Sequence, residues 1–288
     1  MKISRVIIYF ILVFVMFSFN FYLRPIRGNK LIDSNYKNSS QYINSLYKSD
    51  EFFKKKLLDK KDYNIYRSII DGSLNNKIDV TIKCNNDCNS FIDAYNAIYL
   101  DHPELISFLG IKSYYIDGNV IHYKNFNNLG KVKSTLGALR IEREMENIRR
   151  DTKNMTDKEK IIYVYNYVAS HNYDSLFTFI GTNQSAYSFF TKKSSVCAGF
   201  AKASQIIFQN IGINSMLVLS SDHMWNYVEY KGKYYIFDAT VGASFSDKKN
   251  SLYYDGLERT TTDDIKGLYS ELYPEIETNT SLKKLFKL

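Results

Sequence analysis

Proline is scarce, three residues in a chain of 288, and tryptophan occurs once. So little proline excludes collagen-like and polyproline segments. An apolar content of 45% with 16% aromatics excludes a disordered chain and provides for a real core. Histidine and cysteine are also few, at four and three. Structural zinc modules draw on two cysteine pairs, or on a pair with neighbouring histidines. Here Cys84 and Cys88, in KCNNDCN, are the one close pair. No D-x-D-x-D-G calcium loop occurs, and no internal repeat. The sequence therefore asks for no metal and no cofactor.

Acidic residues are missing from the first 30 positions, which hold Lys2, Arg5, Arg24, Arg27 and Lys30. The remaining 33 basic and 30 acidic residues leave the body at +3, so most of the formal +8 belongs to the N-terminus. A mildly basic body without a basic stripe and interleaved stacking aromatics excludes a nucleic-acid partner. Richness in Lys, Asn, Ile and Tyr matches the codon bias of an AT-rich, bacterial genome.

What the N-terminus does hold is a run of 18 uncharged residues, 6–23, VIIYFILVFVMFSFNFYL. As a helix it measures about 27 Å, enough for the hydrocarbon core of a bilayer. It ends on bulky residues before Arg24, not on a small-x-small cleavage site. We therefore expect residues 1–27 to be an uncleaved signal anchor, a single transmembrane helix. Basic residues on both sides leave the positive-inside rule without a clear vote. The short leading tail and long trailing body place the body outside the cell membrane.

Residues 28–49, rich in Asn, Ser and Lys, read as a linker. Residues 50–151 read as an N-terminal α+β region. Within it EFFKKKLLDKKDYNIYRSII has a helical pattern, KIDVTIKC alternates as a strand, and NSFIDAYNAIYLDHPEL is a helix stopped at His102-Pro103. SYYIDGNVIHYK is a hairpin around Asp117-Gly118, and LGALRIEREMENIRR is a further helix. Residues 152–250 open on the capping box Thr156 to Glu159 and the helix IIYVYNYVASHNY. Val196, Phe200, Ala203, Ile207 and Ile211 then share one face of a helix that Gly212 ends. INSMLVLS, HMWNYVEY and KYYIFDAT read as strands, and residues 251–288 as a C-terminal helical extension. The whole is an α+β fold.

Cys197 falls in the first turn of its helix, where unpaired N–H groups and the helix dipole favour a thiolate. A hairpin turn at Lys231-Gly232 pairs residues whose numbers sum to 463, so Trp225 faces Asp238 and His223 faces Thr240. His223, Trp225 and Tyr227 then share a face with Ile236, Asp238 and Thr240. On that face His223 and Asp238 are diagonal neighbours, near enough for a carboxylate to orient an imidazole. A nucleophile, a base and its orienter are what thiol catalysis needs. Cys84 and Cys88 are either a small-loop disulfide or two ordinary thiols, and their spacing does not decide between them. Their C-x3-C spacing is not that of a redox motif. His102 reads as a turn residue, His122 as part of a strand, and His171 as a cation at a helix end.

Residues 158–242 resemble the transglutaminase-like superfamily. The resemblance rests on Cys197, Gly199 and Phe200 at a helix start, on His223, Trp225 and Asn226, and on Tyr235, Asp238 and Thr240. NQSAY, residues 183–187, and YLDHPELISFLG, residues 99–110, resemble the bacterial members. Ala198 and Val241 depart from the common bacterial pattern of an acid and a Trp. The resemblance implies a papain-like core with the cysteine helix packed on an antiparallel sheet. It further implies Cys197 as nucleophile, His223 as base and Asp238 as orienter. Gln184 and Trp225 are candidates for holding an oxyanion or substrate. The expected activity is attack on a protein or peptide amide through a Cys197 thioester. Water as acceptor gives a peptidase or amidase, and an amine gives a crosslinker. The alternative is a non-catalytic binding or scaffold module of the cell envelope. Oligomeric state is not legible.

Overall fold

The computed structural model describes residues 51–288, other than 76, 86–87, 106–110, 126–128, 175–180, 245–247 and 262–268. The expected anchor and linker lie outside the described residues. Among the described residues no helix is long and apolar enough to cross a membrane.

Helix α1 (Phe52–Leu57) and helix α2 (Tyr63–Leu74) replace the single helical pattern read over 51–70. Leu58 is extended, and a 3-10 turn, Lys60–Asp62, separates the two. The break lets Lys54 turn its ammonium over the rings of Tyr63 and Tyr66. The open N-terminus of α1 is closed from outside, because the Asp101 carboxylate accepts from the Phe53 and Lys54 N–H groups at 3.0 and 2.9 Å.

Strand β1 (Asp79–Lys83) alternates exposed and buried residues as expected, and helix α3 (Phe91–Asp101) stops before Pro103. Strands β2 (Ile111–Asp117) and β3 (Val120–Asn125) form the hairpin, turning at Gly118 with φ 57°. The antiparallel sheet order is β1-β3-β2. Cys84 and Cys88 are joined by a disulfide just after β1 and are buried in the core of this region. His102, in its turn, is buried too; Nδ1 meets Glu104 Oε1 at 2.8 Å and Nε2 meets the Tyr66 hydroxyl.

Helix α4 (Gly130–Thr152) runs longer than its pattern suggested. Ile141, Met145 and Ile148 line one face and join the apolar core of the second half. Helix α5 (Asp157–Ala169) starts on the full Thr156–Glu159 capping box. Two-residue strands β4 (Asn172–Tyr173) and β5 (Ser194–Ser195) pair in parallel around helix α6 (Ala186–Lys192). Helix α7 (Cys197–Ile211) follows and ends at Gly212, φ 77°. It is buried on nearly every face. Phe200, Ala203, Ile207 and Ile211 pack into the core with α4 and α5, whereas Ala198 and Ala201 meet the core of the N-terminal region.

Strands β6 (Ser215–Leu219), β7 (Met224–Tyr230) and β8 (Lys233–Phe237) form an antiparallel sheet in that order. Asn226 pairs with Phe237 and Tyr230 with Lys233, the register expected from the turn. Trp225 and Tyr227 pack with Met216, Val218 and Ile236 on one face, while Met224 and Val228 belong to the cores on the other. β8 does not run on to Thr240 as expected. It ends at Phe237, and helix α8 (Ala239–Ser244) begins because Asp238 Oδ1 accepts the Thr240 N–H at 3.1 Å. The C-terminal segment is less helical than expected. Its described part holds short 3-10 turns, a bridge from Ile276 to Tyr234, and the five-residue helix α9 (Leu282–Phe286).

Candidate active site

Cys197 is the first residue of α7, after an extended Val196 that offers no capping side chain. The Gly199 N–H turns back to the Val196 carbonyl at 2.9 Å, and the helix dipole favours a negative charge at this first residue. The Met224 and Ala198 backbone N–H groups both favour the thiolate of Cys197. Cys197 is a free thiol, half-buried, lining a cleft of about 240 Å³.

His223 enters from the sheet. A tight turn places it just before β7: the Ser220 N–H donates to the His223 carbonyl at 2.9 Å, and the His223 N–H donates to Ser220 Oγ at 3.0 Å. Its Nε2 lies 2.7 Å from Asp238 Oδ2, which leaves Nδ1 for the thiol. Cys197 and His223 line one cleft, and each shifts the other's pKa toward the charged form. Asp238 is buried, and its two oxygens are divided between the helix cap and the ring. One oxygen fixes the carboxylate so that the other can fix the imidazole.

The electrostatics follow from these contacts. Burial pulls the His223 pKa down. The hydrogen bonds to Asp238 and Cys197, and the charges of both, outweigh burial and raise it to about 10. Burial raises the Cys197 pKa, but the hydrogen bond and charge of His223, then the two backbone N–H groups, bring it below its ordinary 9.0. Between those limits the pair is thiolate and imidazolium.

Gln184 lines the same cleft, with Tyr99 and Tyr173 as aromatic walls. Trp225 does not line it. It is 1% exposed and lies beneath the imidazole, ring centroids 5.8 Å apart and 18° from parallel. The alternation of the strand explains this, since Trp225 points into the apolar layer behind the sheet. There it covers one face of the base and does not touch the space above the thiol. His171 is also not the cation expected at a helix end. Burial, chiefly, lowers its pKa, and its ring stacks on Phe189 at 4.1 Å.

Several positioning roles are not legible in the sequence. Asn226 donates to the Ala201 carbonyl at 3.0 Å and ties β7 to the nucleophile's helix. Lys202 donates to the Gln184 carbonyl at 3.2 Å and lies 3.9 Å from the centre of the Tyr99 ring, which holds two cleft walls to α7. The Asp238 N–H donates to the Gly256 carbonyl at 3.0 Å, and a Cβ at Gly256 would strike the Asp238 carbonyl. Gly199 has a comparable reason. A Cβ there would collide with Ser195 Oγ and come within 3.0 Å of the Ser185 carbonyl. Gly199→Ala should therefore lose about 1–3 kcal/mol in urea denaturation. An unchanged midpoint would show that the loop moves aside without cost.

Among the described residues no group of three or more His, Cys, Asp or Glu side chains is arranged to hold a metal ion. The fold and the thiol–imidazole pair define a site for cysteine-based chemistry. Residues 146–239, about a third of the chain, match the model of the family described as the Transglutaminase-like superfamily. Two solved structures are similar to the chain. One, described as a candidate cysteine protease from Cytophaga hutchinsonii, is 18% identical over 35% of this chain and 37% of that one, with a TM-score of 0.30. The other, described as a TGase, is 16% identical over 56% of this chain and 50% of that one, with a TM-score of 0.33. The chain thus spans half or less of the length of each. No curated protein matches the sequence.

Proposed function

We propose that this chain is a membrane-anchored transglutaminase-like thiol enzyme that acts on amide bonds of protein or peptide substrates through a thioester at Cys197. The observation that carries the reading is that the Cys197 thiol and His223, itself hydrogen-bonded to the buried Asp238, line one cleft. The thiolate adds to the amide carbon, and the tetrahedral adduct collapses as the C–N bond breaks. The imidazolium gives its proton to the departing amine. Neutral His223 then takes a proton from the acceptor, water or an amine, as it attacks the thioester. Asp238 holds the ring through both halves. Gln184, on the cleft wall, is assigned to the carbonyl oxygen.

The apolar run at 6–23 supports the anchor, and the Cys84–Cys88 disulfide supports a body outside the reducing cytosol. Substrates are then proteins or peptides of the cell envelope. Residues 31–288 should be incubated with a peptide library and a primary amine and read by mass spectrometry. Cleavage identifies water as acceptor, amine incorporation identifies a crosslinker, and neither product refutes the enzymatic reading in favour of a scaffold.

For an amide found in that screen, kcat/KM against pH should be bell-shaped. His223 keeps its proton until pH rises through about 10, which sets the alkaline limb. Cys197 loses its proton below 9.0, which sets the acid limb. An acid limb at or above the ordinary thiol value would contradict the ion pair.

A further inference from the structure

We infer that the cleft takes an acyl donor that carries a carboxylate, and that Lys202 is the residue that selects it. This inference rests on the thiol-enzyme reading and names the substrate class of the same site.

Lys202 is buried, 6% exposed, on the helix that begins with Cys197. Lysine is almost never buried without a carboxylate beside it, because an ammonium taken out of water needs a compensating charge. Here both partners are uncharged: the Gln184 carbonyl at 3.2 Å and the face of the Tyr99 ring, 3.9 Å from its centre. Among the described residues no Asp or Glu forms an ion pair with it. An ammonium has three donors, and one hydrogen bond and one ring leave its charge without a counter-ion.

That charge is held at the cleft. Lys202 follows Ala198 by one turn of α7, on the face that Ala198 presents to the cleft, and a long helical side chain leans back toward the N-terminus. Gln184 and Tyr99, its two partners, line that cleft. Tyr99 is fixed in turn by its own helix: Tyr95 stacks on it with centroids 6.4 Å apart, and Gln205 Nε2 donates to the neighbouring Leu100 carbonyl at 3.3 Å.

The other charges of the site do not cancel this one. The thiolate and the imidazolium offset each other. Asp222 is the remaining charged residue of the lining, its Oδ1 accepting from the Ser220 hydroxyl at 3.2 Å. It is exposed, where water and salt screen it. A buried cation acts through a medium of lower dielectric, so its attraction for an anion in the cleft prevails. The leaving amine lies beside His223, which gives it a proton. The acyl part is then left to the lining that Gln184 and Tyr99 form, next to Lys202.

The test compares two esters of one chain length, p-nitrophenyl hexanoate and mono-p-nitrophenyl adipate, which ends in a carboxylate. With both, the Cys197 sulfur bonds to the carbonyl carbon and p-nitrophenolate leaves, so the burst reads acylation. Each rate is taken relative to that of 2-mercaptoethanol with the same ester. Below saturation, residues 31–288 should acylate about 10-fold faster with the adipate than with the hexanoate. Lys202→Met, which keeps the length of the stem and drops the charge, should bring that ratio to 1 or below. A wall merely displaced by the substitution would slow both esters and leave the ratio as it was. A wild-type ratio at or below 1 would overturn the inference without any variant, and so would an adipate preference that survives in Lys202→Met. Wild-type protein that reacts with neither ester faster than 2-mercaptoethanol would instead remove the thiol-enzyme reading itself.

Discussion

A Cys197→Ala protein should fold and lose about a million-fold in acyl-transfer rate. The size of the loss follows from how the site divides its labour. His223 and Asp238 act through the sulfur, and the cleft alone contributes only binding and oxyanion contacts. Without the nucleophile the remaining groups cannot form the thioester. Thermal melting should change little, because Cys197 is half-buried at the helix start and its neighbours Val196 and Phe200 supply the packing. The same protein should take up no iodoacetamide, since Cys84 and Cys88 are joined to each other. Mass spectrometry of the labelled chain reads this directly. Retained acyl transfer in Cys197→Ala would move the nucleophile elsewhere.

Asp238→Asn should cost about 10⁴-fold in kcat/KM while leaving the fold in place. The amide is the same size, and its oxygen can still accept the Thr240 N–H that caps α8. Its nitrogen then faces His223 Nε2, where it donates in place of accepting and selects the wrong tautomer. The lost carboxylate charge also removes a main support of the raised imidazole pKa, so the alkaline limb should move well below pH 10. A steady-state pH profile on the variant, with circular dichroism to check the fold, separates these effects from unfolding. A variant within a few-fold of wild type, with its alkaline limb still near 10, would show that Asp238 does not orient the base.

The site was legible where local rules and topology agree. A thiol at a helix start, and a hairpin whose tight turn dictates its register, single out Cys197, His223 and Asp238 from sequence alone. The end of β8 is not legible by pattern, because an Asp followed by Ala-Thr continues an alternating pattern as readily as it caps a helix. That D-A-T segment was the available signal. Trp225, a candidate for holding an oxyanion or substrate, is sent behind the base by burial on both sides of the sheet. Tyr173 as a cleft wall and Lys202 as a tie between walls could not be found by pattern. Their places depend on a two-residue parallel strand pair and on a cation lying over a ring from another region of the chain. Likewise, α4 joins the core of α7 through contacts distant in sequence that no local period reports.

The most direct measurement is the rate of Cys197 alkylation by iodoacetamide from mildly acidic to alkaline pH, in wild type and in His223→Ala. A thiolate–imidazolium pair predicts fast wild-type labelling that persists well below the ordinary thiol pKa of 9.0. In His223→Ala the curve should move up toward that ordinary value. Two superimposable curves, both titrating near 9.0, would contradict an activated nucleophile at Cys197.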